Sequence, residues 1–224
     1  WVEAQGGRII LMASRALCAA AQSPDDYLMV YERLLTQARQ PVIIHWLGEM
    51  FDPALAGYWG YSKIDESLKA VTALLHTHAT RIDGIKISLL DKAKEIALRR
   101  ELPASVRMYT GDDFDFAELI GGDALGYSDA LLGIFDAIAP AASAALNELA
   151  SGRRDRFDQI LAPCVPLSRH IFCAPTQFYK TGIVFMAWLN GYQKEFVMLG
   201  GQETKRSLPH LAEIFRLAVR ARLL

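Results

Sequence analysis

What most constrains this chain is an alternation. Through its first 130 residues, short runs rich in apolar and β-branched side chains take turns with longer segments of helical period. Residues 41–46, Pro-Val-Ile-Ile-His-Trp, are apolar almost without a break. A strand covered on one face would alternate, whereas a continuous apolar run belongs to a parallel strand buried on both faces. Strand candidates occur at residues 8–13, 41–46, 81–88, 106–110 and 124–127. Apolar spacing predicts helices over 25–37, 64–77, 92–100 and 113–120. Ser23-Pro24 opens the first of these, because proline suits a first helical turn. Strands joined by helical crossovers predict an α/β fold with a parallel sheet, either doubly wound or a (β/α) barrel.

From residue 131 onward the strand signal vanishes. Segments 140–149, 153–161, 176–189 and 202–222 read as mainly helical, with Ser151-Gly152, Pro163, Pro166, Pro175, Gly191 and Gly200-Gly201 as breaks. The glycine pair makes no phosphate loop, since no strand precedes it and no Gly-Lys-Ser/Thr follows. Residues 1–131 are therefore expected to build the sheet, and residues 132–224 its last helix and a helical extension.

Apolar residues make up 52% of the chain, which supplies ample core, and the net charge is -1 without a Lys/Arg run. Neither a nucleic-acid footprint nor an anionic-membrane surface is indicated. No uncharged apolar stretch reaches transmembrane length. Cys18, Cys164 and Cys173 are odd in number, far apart and free of any CxxC spacing. They suggest neither a disulfide framework nor a zinc site, and a reducing cytoplasm is the expected location.

The candidate chemistry centres on Lys86, near the end of the apolar run Arg81-Ile82-Asp83-Gly84-Ile85-Lys86-Ile87-Ser88. A strand-end lysine can snorkel to water. One held in an apolar cavity becomes a neutral amine able to attack a carbonyl. Ser88, two residues on, shares the facing of Lys86 by strand alternation. The loop 47–62 is long for a connection inside a compact domain and carries Glu49, Asp52, Tyr58, Trp59 and Tyr61. Its aromatics suit a lid or packing against helices. Asp112 and Asp113 lie between a strand and a helix, where one can serve as an N-cap or act in catalysis. His76 and His78 are two apart and cannot share a helical face, so they read as surface residues, and His170 and His210 show no acidic partner at a telling spacing.

The motifs, in order, resemble the dihydrodipicolinate synthase and N-acetylneuraminate lyase superfamily of pyruvate-type class I aldolases. Pro41-Val42-Ile43-Ile44 resembles the family's fifth strand, Gly84-Ile85-Lys86 the sixth with its Schiff-base lysine, and Thr110-Gly111-Asp112-Asp113 the turn after the seventh. Residues 122–127 resemble the eighth strand. Pro140-Ala141-Ala142, Ala150-Ser151-Gly152 and the stretch from Pro175 to Lys180 match pieces of the helical extension. The resemblance implies a (β/α)8 TIM barrel represented by about five C-terminal βα units. It also implies a carbon-carbon lyase or dehydratase acting on a keto acid or sugar acid through Lys86, with no cofactor, and a homo-oligomer.

Departures from the pattern matter as well. His45 stands where the family has a proton-relaying tyrosine; an imidazole can move protons there or simply line the barrel. The family's carboxylate-binding arginine turn is replaced by Trp46-Leu47-Gly48-Glu49-Met50-Phe51-Asp52-Pro53, whose acids would repel a carboxylate. A hydroxylated, amine-bearing or metal-bound group fits better there, and the loop resembles that of a branch for which no substrate is implied. The first three βα units and their paired-threonine turn have no counterpart, and five strands cannot close an eight-stranded barrel. A fragment, or a first half supplied separately, is the expectation. The resulting site has Lys86 and His45 as catalytic residues and Ser88, Glu49, Trp46, Gly111, Asp112, Gly126 and Tyr127 as substrate contacts. Two other readings stand beside it: a metal-dependent lyase or isomerase using Glu49 and Asp52, and a barrel that binds a ligand without catalysis.

Overall fold

The computed structural model describes residues 1–224, in two compact units. The first comprises residues 1–112 and 122–131, and the second residues 113–121 and 132–224.

The first unit carries five strands: β1 (Ile10–Met12), β2 (Val42–Leu47), β3 (Ile82–Ser88), β4 (Arg107–Thr110) and β5 (Asp129–Ala130). All pair in parallel, in the order β1-β2-β3-β4-β5. A doubly wound sheet reverses direction at a switch point, whereas an unbroken sequential order is that of a (β/α) barrel wall. Its helices are α1 (Arg15–Ala20), α2 (Pro24–Gln37), α3 (Ile64–Thr77) and α4 (Lys92–Glu101). The Asp26 carboxylate closes the start of α2 by accepting from the amides of Gln22 (2.8 Å) and Ser23 (2.9 Å). Asp91 does the same for α4 through the Lys94 amide. The sequence pattern carries no sign of α1, which is only six residues long and is capped by Ser14 accepting from Leu17.

One face of the sheet is buried beneath α2, α3 and α4. Val42, Ile44, Trp46, Ile82, Ile85, Ile87 and Met108 join Tyr31, Leu35, Val71, Leu75 and Leu98 in a continuous core. Each fully buried Ile or Leu contributes about 1.5–3 kcal/mol. Strict alternation could not place both Ile82 and Ile85 in this layer. A register shift resolves it: Val42 pairs with Ile82 but Ile43 with Gly84, so β3 spends two residues where β2 spends one. That bulge turns Lys86 to the opposite face. There Met12, His45, Lys86, Tyr109 and Asp129 form one row across the sheet. Gly84 is required by a close approach, since a Cβ would sit 2.5 Å from Tyr109 Cε2 and 2.6 Å from the Arg107 carbonyl oxygen. The Tyr109 ring passes through that space and its hydroxyl donates to Asp83 (2.6 Å).

The loop after β2 is an aromatic layer. Trp59 is fully buried, its ring 4.7 Å from Tyr31, 5.3 Å from Tyr58 and 6.2 Å from Trp46. Tyr58 accepts from the Ser14 amide and shares a 3.1 Å hydrogen bond with the Tyr31 hydroxyl. Of the two possibilities for these rings, Tyr58 and Trp59 are packing.

The last strand is corrected by the structure. Within 124–127 the chain turns at Ala124-Leu125 between a bridged Asp123 and Gly126, the Asp123 side chain accepting from the Leu125 amide (2.8 Å), and β5 begins two residues after Tyr127. An aspartate that bonds two residues ahead makes a turn of a segment whose side chains look strand-like.

The second unit is helical: α5 (Phe116–Gly121), α6 (Ala139–Ala150), α7 (Arg154–Leu161), α8 (Cys164–Ile171), α9 (Tyr179–Leu189) and α10 (Leu208–Arg220). Helix α8 occupies a stretch where Pro163 and Pro166 point to a break in the sequence pattern. Both prolines fall within or just before its first turn, where no amide is needed for the helix ladder. Helix α5 starts three residues later than the pattern predicts. Asp113 accepts from the Ile134 amide (2.7 Å), and the Asp115 carbonyl takes the first helical bond. His170 and His210 stack at 4.2 Å between centroids. No helix is long and apolar enough to cross a membrane.

Candidate active site

Four of the anticipated residues meet on the face of the sheet opposite the helices. His45 and Lys86 are register partners on β2 and β3. Ser88, one row nearer the strand ends, shares a 3.0 Å hydrogen bond with His45 Nε2. Gly111 follows β4 and donates its amide to the Ile87 carbonyl (2.8 Å). A Cβ at Gly111 would fall on Ser88 Oγ, 2.7 Å from the Ile87 oxygen and 2.8 Å from Lys86 Cε. Glycine is thus what lets the turn after β4 form a wall against the lysine side chain. Parallel strands place all four at one end of the sheet, the C-terminal end, where barrel enzymes build their sites.

The electrostatics follow from burial. His45 is 8% exposed, and burial first, then the charge of Lys86, pushes its pKa down to about 3. Its imidazole is therefore neutral at physiological pH. In the unfolded chain the same ring protonates near its ordinary value of 6.5. The unfolded state thus binds more protons between those two values, so this group weakens the fold as pH falls through that window. At roughly 1.4 kcal/mol for each tenfold change in proton affinity, the effect amounts to a few kcal/mol. Stability measured by denaturant unfolding should drop more steeply for the wild type than for His45→Gln as pH falls from 6.5 toward 3. Parallel curves for the two proteins would contradict this placement.

Tyr109 lies in the same row, and burial with the Asp83 hydrogen bond raises its hydroxyl to about 12. The phenol stays protonated, and Arg107 holds the far side of Asp83 at 2.7 and 2.8 Å.

Trp46, Glu49, Asp52, Gly126 and Tyr127 lie apart from this cluster. Trp46 faces the helices, 2% exposed in the aromatic layer. Glu49 is exposed and, with Trp46, Tyr58, Tyr61 and Lys94, lines a cavity of about 280 Å³. Asp52 pairs with Arg15 at 2.5 Å and caps the short helix Pro53–Leu55 through the Ala54 amide. Gly126 and Tyr127 precede β5 and so stand at the opposite, N-terminal end of the strands, with Tyr127 65% exposed. Asp112 follows Gly111 directly and is 1% exposed, its amide donating to Thr110 Oγ1 (3.1 Å).

Sequence reading missed Glu95. It lies on α4, 1% exposed, accepting from Thr110 Oγ1 (3.0 Å) and Ser128 Oγ (2.7 Å). Its spacing of three from Leu98, on the buried stripe of the helix, was the available signal. Desolvation pushes it up to about 7, against the two hydroxyls, with the nearby Asp112 charge adding to the rise.

The whole sequence, residues 1–224, is matched by the model of the family described as "Protein of unknown function (DUF993)". Among curated proteins, none matches. Of solved structures, a crystal structure of a protein from Pseudomonas aeruginosa described as a "putative dihydrodipicolinate synthetase" is similar, with a TM-score of 0.72 at 14% identity. The match covers 98% of this chain and 68% of that one. It establishes the fold: the five-stranded parallel sheet is part of a TIM-barrel wall of this type.

Proposed function

We propose that this chain, which belongs to the family just described, is an aldolase-like lyase that forms a Schiff base between Lys86 and a small 2-keto acid or keto sugar acid. The observation that carries the reading is the hydrogen-bonded His45–Ser88 pair beside Lys86, with the Gly111 turn pressed against the lysine stem. The likeness to the "putative dihydrodipicolinate synthetase" supports it at the level of the superfamily.

The neutral amine of Lys86 attacks the keto carbon, and the carbinolamine takes up a proton at its hydroxyl and loses water to give a protonated imine. That iminium withdraws electrons from the neighbouring carbon-carbon bond, whose cleavage or formation is the reaction. Each stage moves a proton on or off oxygen or carbon next to the imine nitrogen. In this reading the hydrogen-bonded His45 and Ser88, on the same face as Lys86, do that work. Their coupling to Lys86 has a direction. Burial holds His45 unprotonated and the charge of the Lys86 ammonium adds to it; when that proton leaves, the repulsion is lifted and the imidazole becomes a better acceptor.

Treating the full-length protein with pyruvate and other 2-keto acids in the presence of borohydride should fix the ligand covalently. Peptide mass spectrometry should place the adduct on Lys86. Absence of any adduct, or one on another lysine, would defeat the reading.

A further inference from the structure

We propose that Glu95 is a positioning residue for the Lys86 site, acting through the Thr110 hydroxyl on the turn that carries Gly111. The inference rests on the reading of Lys86 as the reactive amine. Glu95 touches neither Lys86 nor the space before it; it works from the far side of the sheet.

The connection is a chain of hydrogen bonds of 3.0 and 3.1 Å. Thr110 Oγ1 donates to Glu95 Oε2 and accepts from the Asp112 amide. Gly111 is the residue between these two anchored neighbours, and its own amide is held by the Ile87 carbonyl on β3. The turn is therefore bonded at three successive residues. Its central residue abuts Lys86 Cε and Ser88 Oγ so closely that no Cβ fits. A second carboxylate oxygen, Oε1, accepts from Ser128 Oγ, so the same group also ties down the segment leading into β5. A displacement of the Thr110 hydroxyl is transmitted to the lysine wall because nothing compressible lies between.

Glu95 can change its charge. Two hydroxyl donors suit an ionised carboxylate, which offers both oxygens as acceptors. When protonated it must donate from one of them, and one hydroxyl then loses its acceptor. Facing it are Asp112, beyond the end of β4, and Arg99, on its own helix. Arg99 in turn bonds Ser128 Oγ at 3.4 Å and Asp123 at 2.9 Å. Burial and Asp112 raise the pKa to about 7, so the switch falls near neutrality. His45, pushed down to about 3, does not titrate in that range. The folded protein binds the Glu95 proton more tightly than the unfolded chain, whose value is 4.5, so this group's contribution to stability declines as pH rises between 4.5 and about 7.

The test follows the Gly111 amide by ¹⁵N NMR across neutrality, alongside the rate of borohydride-trapped adduct formation. In the wild type both should change with a common midpoint near 7. Glu95→Gln has the same shape without a charge, so it should stay folded, keep the adduct and lose the inflection in both readouts. Thr110→Val removes the relay while leaving Glu95 in place; the Gly111 titration should disappear and the adduct rate should fall severalfold at every pH. A flat Gly111 signal in the wild type, or the same midpoint in Glu95→Gln, overturns the proposal. If Gly111 titrates as expected but no adduct forms in the wild type, Glu95's control of the turn stands and the Schiff-base reading alone is lost.

Discussion

Lys86→Ala should abolish the borohydride-trapped adduct and any lyase turnover, by at least about a thousandfold, as expected when a covalent nucleophile is removed. The fold should survive. Lys86 is only half-buried and lies on the face opposite the core formed by Ile85 and Ile87, so its loss opens no cavity in that layer. The variant also has a silent reporter. Since the charge of Lys86 is the second cause of the depressed His45 pKa, its removal should raise that value measurably by NMR. Burial is the larger cause, so the ring should still titrate below its ordinary value. Full turnover in Lys86→Ala would remove the lysine from the chemistry. An unchanged His45 would remove it from contact with the pair.

Gly111→Ala should be the most damaging single methyl in the site. The added Cβ would lie on Ser88 Oγ, 2.7 Å from the Ile87 carbonyl and 2.8 Å from Lys86 Cε. The Ile87 oxygen is backbone within the sheet and cannot swing aside, so the turn must move. Overpacking of this kind costs about 1–3 kcal/mol. In a chain of this size that lowers the melting temperature by roughly 2–12 °C, at about 2–4 °C per kcal/mol. The effect on adduct formation should be larger, about a hundredfold, because a displacement of about 1 Å in a reacting group is enough for that loss. Calorimetry and the trapping assay measure the two separately. Adduct formation at the wild-type rate would show that the Gly111 wall does not matter to the lysine.

Part of this site was legible from local pattern. The β-branched run placed Lys86 on the third of five strands, and strand alternation paired it with Ser88. The order of motifs put His45 and Gly111 at the same end of the sheet. Other residues were assigned to it by proximity along the chain. Trp46 adjoins His45 in sequence, but neighbouring strand residues point to opposite faces, and Trp46 belongs to the helix-covered layer. Tyr127 looked like the end of a strand, yet the Asp123 turn delays β5 and leaves it at the wrong end. Asp52 had a cationic partner in Arg15, 37 positions earlier, on a helix whose brevity concealed it.

By itself, the amino-acid order determined the elements and their succession. Apolar periodicity, capping residues and proline positions act within a few residues, and a parallel sheet of βα units is their direct consequence. Only the tertiary structure decided which way the side chains face and what they meet. Counting by twos from Ile82 would bury Lys86; the bulge at Asp83-Gly84, where the Tyr109 ring crosses from the next strand, turns it to the opposite face. Glu95, Thr110 and Ser128 are dispersed along the chain. Although its spacing from Leu98 sets Glu95 on the buried stripe of its helix, that spacing does not distinguish a glutamate that buries its carboxylate from one that reaches water. The difference lies in the hydroxyls that compensate its lost hydration, and those arrive only when the strands assemble.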